Sequence, residues 1–169
     1  SPDEAHVLAK QLDYMNHQRR AIQDRILKEA IEKVTEPEPP LVLVAGKESE
    51  GWHRGVTGIV AGRLRDHFGC PALVVTVTDS GCVGSMRSTP EVHAVELLEQ
   101  ASDLLERFGG HPAAAGFSLQ ESEIEAFRAR LHENLKARFD GPPPRPTLEA
   151  DLQLNVEDLT LATAKALEV

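Results

Sequence analysis

An α/β fold with a central sheet flanked by helices is what this sequence predicts, on three observations. Two short apolar runs suited to buried strands, Leu41 to Ala45 and Ala72 to Val77, enclose a segment from Val56 to Phe68. Within that segment Ile59, Val60, Leu64 and Phe68 recur at helical spacing, which makes a β-α-β order. Two proline-rich stretches, Glu36-Pro37-Glu38-Pro39-Pro40 and Gly141-Pro142-Pro143-Pro144-Arg145-Pro146, set this unit off from what flanks it. The 169 residues, 41% of them hydrophobic, suffice for one domain with a buried core and fall short of two.

The elements follow in chain order. Ser1-Pro2-Asp3-Glu4 has the spacing of a capping box with proline in the first turn. A stripe at Leu8, Leu12, Met15, Arg19, Ile22 and Ile26 then predicts one helix from about Pro2 to Thr35, roughly 50 Å long at 1.5 Å per residue. That exceeds the width of a domain this small, so part of the helix is expected to reach another domain. Beyond the β-α-β unit, Cys82 to Ser88 is a weaker strand, Ala94 to Leu105 an amphipathic helix, and Ala113 to Leu119 a strand entered through a Gly-Gly turn. A last helix from about Glu121 to Phe139 aligns Ile124, Phe127, Leu131 and Leu135, with acids in its first turn and Lys136 and Arg138 in its last. Leu148 to Leu154 alternates like a strand and Val156 to Leu167 looks helical. The predicted organisation is a helix over 1–36, an α/β domain over 41–139, a linker over 140–147 and a βα tail over 148–169.

Composition excludes several function classes. A net charge of −9 disfavours a partner held by bulk electrostatics, such as nonspecifically gripped duplex DNA or an anionic membrane, so a polyanion must be met by a local cluster of donors. Aromatic residues at 4% make a broad base-stacking platform improbable on composition. Cys70 and Cys82 form neither a disulfide framework nor a C-x-x-C pair, which fits a reducing, cytoplasmic setting, and no apolar run approaches the ~20 residues of a spanning helix. Seven histidines contain no H-x-x-x-H or Cys/His cluster, and the sequence offers no metal-ligand spacing, nucleophile elbow, Walker loop or dinucleotide fingerprint.

Three segments remain as candidates for chemistry. Gly51-Trp52-His53-Arg54-Gly55-Val56-Thr57-Gly58 is a glycine-rich loop that opens a helix, a place for an anion with His53 and Arg54 as added donors. The competing reading is a structural turn with Trp52 as a core plug. In Gly84-Ser85-Met86-Arg87-Ser88, strand alternation puts Ser85 and Arg87 on one face and Met86 on the other, so a hydroxyl beside a guanidinium fork makes a small oxyanion clamp. The competing reading is an exposed strand with a solvated arginine. In Phe108-Gly109-Gly110-His111-Pro112-Ala113-Ala114-Ala115-Gly116-Phe117, the glycines give conformational freedom and the small residues imply close backbone packing, which would present His111 from a rigid turn to a phosphoryl oxygen.

Together and in this order these segments resemble the DHHA1 domain of the DHH phosphoesterase superfamily, and within it the single-strand-specific 5′-to-3′ DNA exonucleases of the RecJ family. The stretch Arg107 to Phe117 carries the likeness most specifically; it extends over Leu41 to about Phe139, and the helix through Asn16, Arg19 and Arg20 is similar to that family's connector. The resemblance implies that the chain is the middle of a larger enzyme of DNA repair and recombination. Its other parts would be a DHH domain with two Mn²⁺ or Mg²⁺ ions and an OB-fold toward which the tail leads. It also implies that Ser85 and Arg87 clamp the 5′-terminal phosphate of single-stranded DNA. His111 would donate to a phosphate near the reacting centre, His53 and Arg54 would support the strand's backbone, and Gly109 and Gly110 would line its path. No metal is expected in this chain itself. The alternatives are a nanoRNase or cyclic-dinucleotide phosphodiesterase of the same superfamily, or a non-catalytic nucleotide-binding module.

Overall fold

The computed structural model describes residues 1–35, 40–139, 144 and 150–167. Helix α1 spans Pro2–Glu32 and begins as the sequence predicts, with the Ser1 side chain accepting from the Glu4 backbone and the Glu4 side chain returning to the terminal amine. There follow β1 (Val42–Lys47), α2 (Thr57–Phe68), β2 (Ala72–Thr78), β3 (Gly81–Arg87), α3 (Ala94–Glu99), β4 (Arg107–His111), β5 (Ala114–Leu119), α4 (Ile124–Arg138) and α5 (Leu161–Leu167). The strands form one sheet in the order β1-β2-β3-β5-β4, in which β1 and β2 are parallel and every other pair is antiparallel.

Side chains alternate across this sheet, so each strand feeds two layers. On one face Leu41, Leu43, Leu73, Val75, Met86, Phe117 and Leu119 pack under α3 and α4 through Leu97, Leu98, Phe127, Leu131 and Leu135. On the other, Val42, Val44, Ala72 and Val74 pack under α2 and the end of α1 through Val60, Ala61, Leu64, Ile26 and Ala30. Helix α2 lies over β1, β2 and β3. Beyond it β5 and β4 present Gly116, Arg107, Gly109 and His111 to solvent on that face.

Only the last part of α1 belongs to this core; Leu8, Leu12 and Met15, upstream on the predicted stripe, are exposed, and the helix measures about 46 Å over its 31 residues. Its buried end organises the glycine-rich loop. Arg25 donates to the carbonyls of Glu50 (3.3 Å) and Gly51 (2.7 Å), and Gly51 turns with φ +85°. Trp52 is buried against Gly46, where a Cβ would come within 2.1 Å of its ring, and its Nε1 donates to Glu29 at 2.8 Å. For Trp52, then, the core-plug reading is the right one.

Three expectations are corrected. The residues taken for a Gly-Gly turn form a strand, β4, because an edge strand whose face is open to solvent needs no apolar alternation for its backbone to pair with β5. The helix expected over Ala94 to Leu105 stops at Glu99 and becomes a 3₁₀ turn at Ser102–Leu104, where short polar side chains compete with the helical backbone and Asp103 meets Arg130 on α4. In the tail, residues 150–155 form no strand, since no neighbouring strand pairs with them, and the helix over 156–167 is a 3₁₀ turn at Val156–Asp158 followed by the seven residues of α5. Leu152, Val156, Leu159, Leu161 and Leu167 are all exposed. The proline stretch at 36–39 and most of the linker at 140–147 lie outside the described residues.

Candidate nucleic-acid interface

The site is assembled by strand register. On β3, Met86 points fully into the core while Ser85 and Arg87 point to the α2 side, the alternation expected from the sequence. Carried across the antiparallel pairs, Arg87 stands opposite Ala114 and Ala114 opposite His111; Ser85 stands opposite Gly116 and Gly116 opposite Gly109; Val83 stands opposite Ser118 and Ser118 opposite Arg107. Paired residues share a face, so Arg87, Ser85, His111, Gly109 and Arg107 all lie on the α2 side of the sheet, Ser85 and Arg87 against the helix and His111, Gly109 and Arg107 on the part beyond it. At about 4.8 Å per strand, Arg87 and His111 are roughly 10 Å apart at their backbones across a floor of Ala114, Gly116 and Gly109. At one edge of that floor the Arg87 side chain runs along α2, and at the other His111 is exposed.

The wall of this trough is the first turn of α2. Thr57 Oγ1 donates to the Arg54 carbonyl at 2.9 Å and lies 3.2 Å from Ser85 Oγ; Arg87 Nη1 donates to the Met86 carbonyl at 2.9 Å. His53 accepts from the Gly55 backbone through Nδ1 at 3.0 Å, which leaves its Nε2–H turned to solvent, and the Arg54 side chain is exposed beside it. Opposite, His111 closes β4 at a two-residue hairpin turn, Pro112-Ala113. That turn is pinned from outside: the Ala94 and Ser88 backbone amides donate to the Pro112 and Ala113 carbonyls at 2.8 and 2.9 Å. Among the described residues neither His111 nor Arg107 has a side-chain partner.

The glycine pair divides into two roles. Gly110 has φ +152°, and a Cβ on it would come within 2.4 Å of the Ala114 carbonyl oxygen, so its conformation and its space both require glycine. Gly109 has nothing within 4 Å of where a Cβ would stand; what it supplies is a bare floor. Gly116 is similar, since a Cβ there would meet only the Gly84 carbonyl oxygen at 3.9 Å, so its smallness leaves surface open rather than admitting the close packing expected. Gly110 faces away from the trough and shapes the strand.

Arg107, Thr57 and Gly58 are not singled out as site residues by the sequence. Reading 107–111 as a strand would have put Arg107 on the His111 face, whereas the Thr57–Ser85 contact joins positions 28 residues apart and has no local signal. The two cysteines are buried thiols outside any disulfide, and burial, reinforced by Glu121 and Glu106, pushes the Cys82 thiol up; it lies in the core under α3 and α4, away from the trough. Among the described residues no three His, Cys, Asp or Glu side chains are grouped to hold a metal ion, and no helix is long and apolar enough to cross a membrane.

A family model described as the DHHA1 domain matches residues 40–137. The chain is 35% identical over 162 residues to the single-stranded-DNA-specific exonuclease RecJ of Bacillus subtilis (strain 168), covering 94% of this chain and 20% of that protein. The fold superposes on crystal structures of RecJ from Thermus thermophilus. With the Mn²⁺ complex the TM-score is 0.76 at 34% identity over 89% of this chain and 21% of that one. With the Mg²⁺ complex it is 0.75 at 34% identity over 86% and 22%. The chain thus spans about a fifth of the length of these relatives.

Proposed function

We propose, from the premise that the chain belongs to the DHHA1 domain family, that it is the strand-gripping part of an exonuclease that removes nucleotides from the 5′ end of single-stranded DNA in repair and recombination. The observation that carries this reading is the register of β3, β5 and β4. A serine, two arginines and a histidine stand on one face of the sheet around a floor of two glycines and an alanine, the form a flexible phosphodiester chain needs for close approach.

In this reading Arg87 and Ser85 take the 5′-terminal phosphate, the guanidinium through its remaining donors and the hydroxyl through its proton. His111, from across the floor, donates to an oxygen of the phosphodiester where charge develops. Gly109 lets the strand lie against the sheet, and His53 and Arg54 flank the backbone at the start of α2, while Gly110 holds β4 in shape. The summed contribution is positioning and charge stabilisation. The described residues do not fit a metal ion, so the Mn²⁺ or Mg²⁺ on which hydrolysis depends would be held by a DHH domain, with an OB-fold of the same polypeptide adding to strand binding. The chain by itself is expected to release no nucleotides from single-stranded DNA with either ion. A soluble, cytoplasmic setting accords with two buried cysteines kept as thiols.

The test is binding of 5′-phosphorylated and 5′-hydroxyl single strands to the parent chain and to Arg87→Ala. The parent should favour the phosphorylated strand and the variant should lose that preference; equal affinity of the parent for both strands overturns the reading.

A further inference from the structure

Both clamp side chains are set by the first turn of α2, and we propose that Gly58 is the positioning residue that gives the clamp its specificity for a terminal phosphate, with Thr57 as its companion on Ser85. This rests on the reading of Ser85 and Arg87 as phosphate ligands.

Arg87 lies along the underside of α2. Its stem passes Gly62, where a Cβ would make ordinary contact with Cγ at 4.0 Å. Its guanidinium ends beneath Gly58, where a Cβ would stand 2.8 Å from Nη2, 3.4 Å from Cζ and 3.6 Å from Ser85 Oγ. Gly58 is not among the glycines with positive φ, so the backbone there has no need of glycine. The space does. Nη1 is already held by the Met86 carbonyl on the strand side, so the bay at Gly58 decides where the other donors of the fork point. A methyl group in that bay pushes the guanidinium off its place without touching the core, because what it meets is the end of a long side chain.

Thr57 acts on the other ligand. It has one proton, committed to the Arg54 carbonyl at 2.9 Å, so the 3.2 Å contact to Ser85 is made with the serine's proton. The Thr57 hydroxyl, itself held by the Arg54 carbonyl, thus fixes where Ser85 Oγ stands before a phosphate oxygen takes the serine's proton.

The experiment measures, by fluorescence anisotropy without added metal, the affinity ratio for 5′-phosphorylated over 5′-hydroxyl oligothymidylate, together with thermal melting. Gly58→Ala is expected to lower the ratio on the order of tenfold, the effect of losing a charge-assisted pair, while melting no lower than the parent because alanine is the better helix former. Gly62→Ala should also melt no lower and should keep the ratio. Thr57→Val should reduce the ratio, and Thr57→Ser should restore it. A Gly58→Ala chain that keeps the parent's ratio overturns the proposal, as does an equal loss in Gly62→Ala or a Gly58→Ala chain that melts several degrees lower. Failure of Thr57→Ser to restore the ratio overturns the part assigned to Thr57. A parent that shows no preference overturns the phosphate reading itself, an outcome distinct from all of these.

Discussion

The two faces of β3 and β5 are made of alternate residues of the same strands and have opposite characters. Met86, Phe117 and Leu119 are sealed under two helices, while Ser85 and Gly116, each one residue from a member of that core, face the trough beside the first turn of α2. A sheet with both faces capped would be more stable by the apolar area it buries, so a face left bare beside a guanidinium and an imidazole reflects what approaches it. Stability and binding are therefore written on interleaved positions, and substitutions one or two residues apart should separate them.

The largest expected effect is on the sealed face. Phe117 packs its ring against Phe127 at 5.2 Å between centroids and fills the space above Gly84, where a Cβ would come within 2.2 Å of it. Phe117→Ala should cost about 3–5 kcal/mol of unfolding free energy, measured by denaturant titration, and should weaken strand binding only as far as the folded fraction falls. Selective loss of binding in a fully folded variant would break the division between the faces.

Next comes His111, on the open face. If the proposed exonuclease reading holds, His111→Ala in a full-length enzyme containing this chain should lower the single-turnover rate about 10²- to 10³-fold, as loss of one donor to developing charge does, and should leave the melting temperature of the chain unchanged because the exposed imidazole has no partner among the described residues. A variant that melts many degrees lower and cleaves normally when folded would make His111 a packing residue. Smaller again is Arg87→Ala, expected to weaken binding of 5′-phosphorylated strands by about 1.5–3 kcal/mol and to spare strands lacking that phosphate. Equal losses on both would make Arg87 a general backbone contact.

Much of the trough is legible in the sequence wherever period-2 alternation is visible. Ser85 and Arg87 can be set on one face and Met86 in the core because the strand carries an apolar residue at the right step. β4 cannot be read this way. Its one large apolar residue, Phe108, leaves no pattern, and glycines at 109 and 110 look like a turn although the backbone pairs along its whole length with β5. Arg107 goes unnoticed with it. The buried helices show in the spacing of Val60 and Leu64 or of Phe127, Leu131 and Leu135, whereas the end of α3 and the tail lack that support from packing. The wall formed by Thr57 and Gly58 depends on the angle at which α2 crosses β3, which no local pattern encodes.

Gly109 and Gly110 sharpen the contrast between the faces at adjacent positions. Gly110→Ala must place a Cβ against the backbone of Ala114 and Ala115 at a φ that L residues rarely adopt, so it should cost at least about 1–3 kcal/mol and shift the melting temperature accordingly. Gly109→Ala meets nothing and should alter stability by no more than about 0.5 kcal/mol. Its methyl nevertheless stands on the floor between Gly116 and the His111 side, where a phosphodiester chain would lie, so strand binding should weaken while the melting curve stays in place. Parallel melting and anisotropy measurements on the two variants decide the matter. If Gly109→Ala binds as tightly as the parent, the strand does not pass over the floor, and the open face narrows to the Ser85 and Arg87 clamp alone.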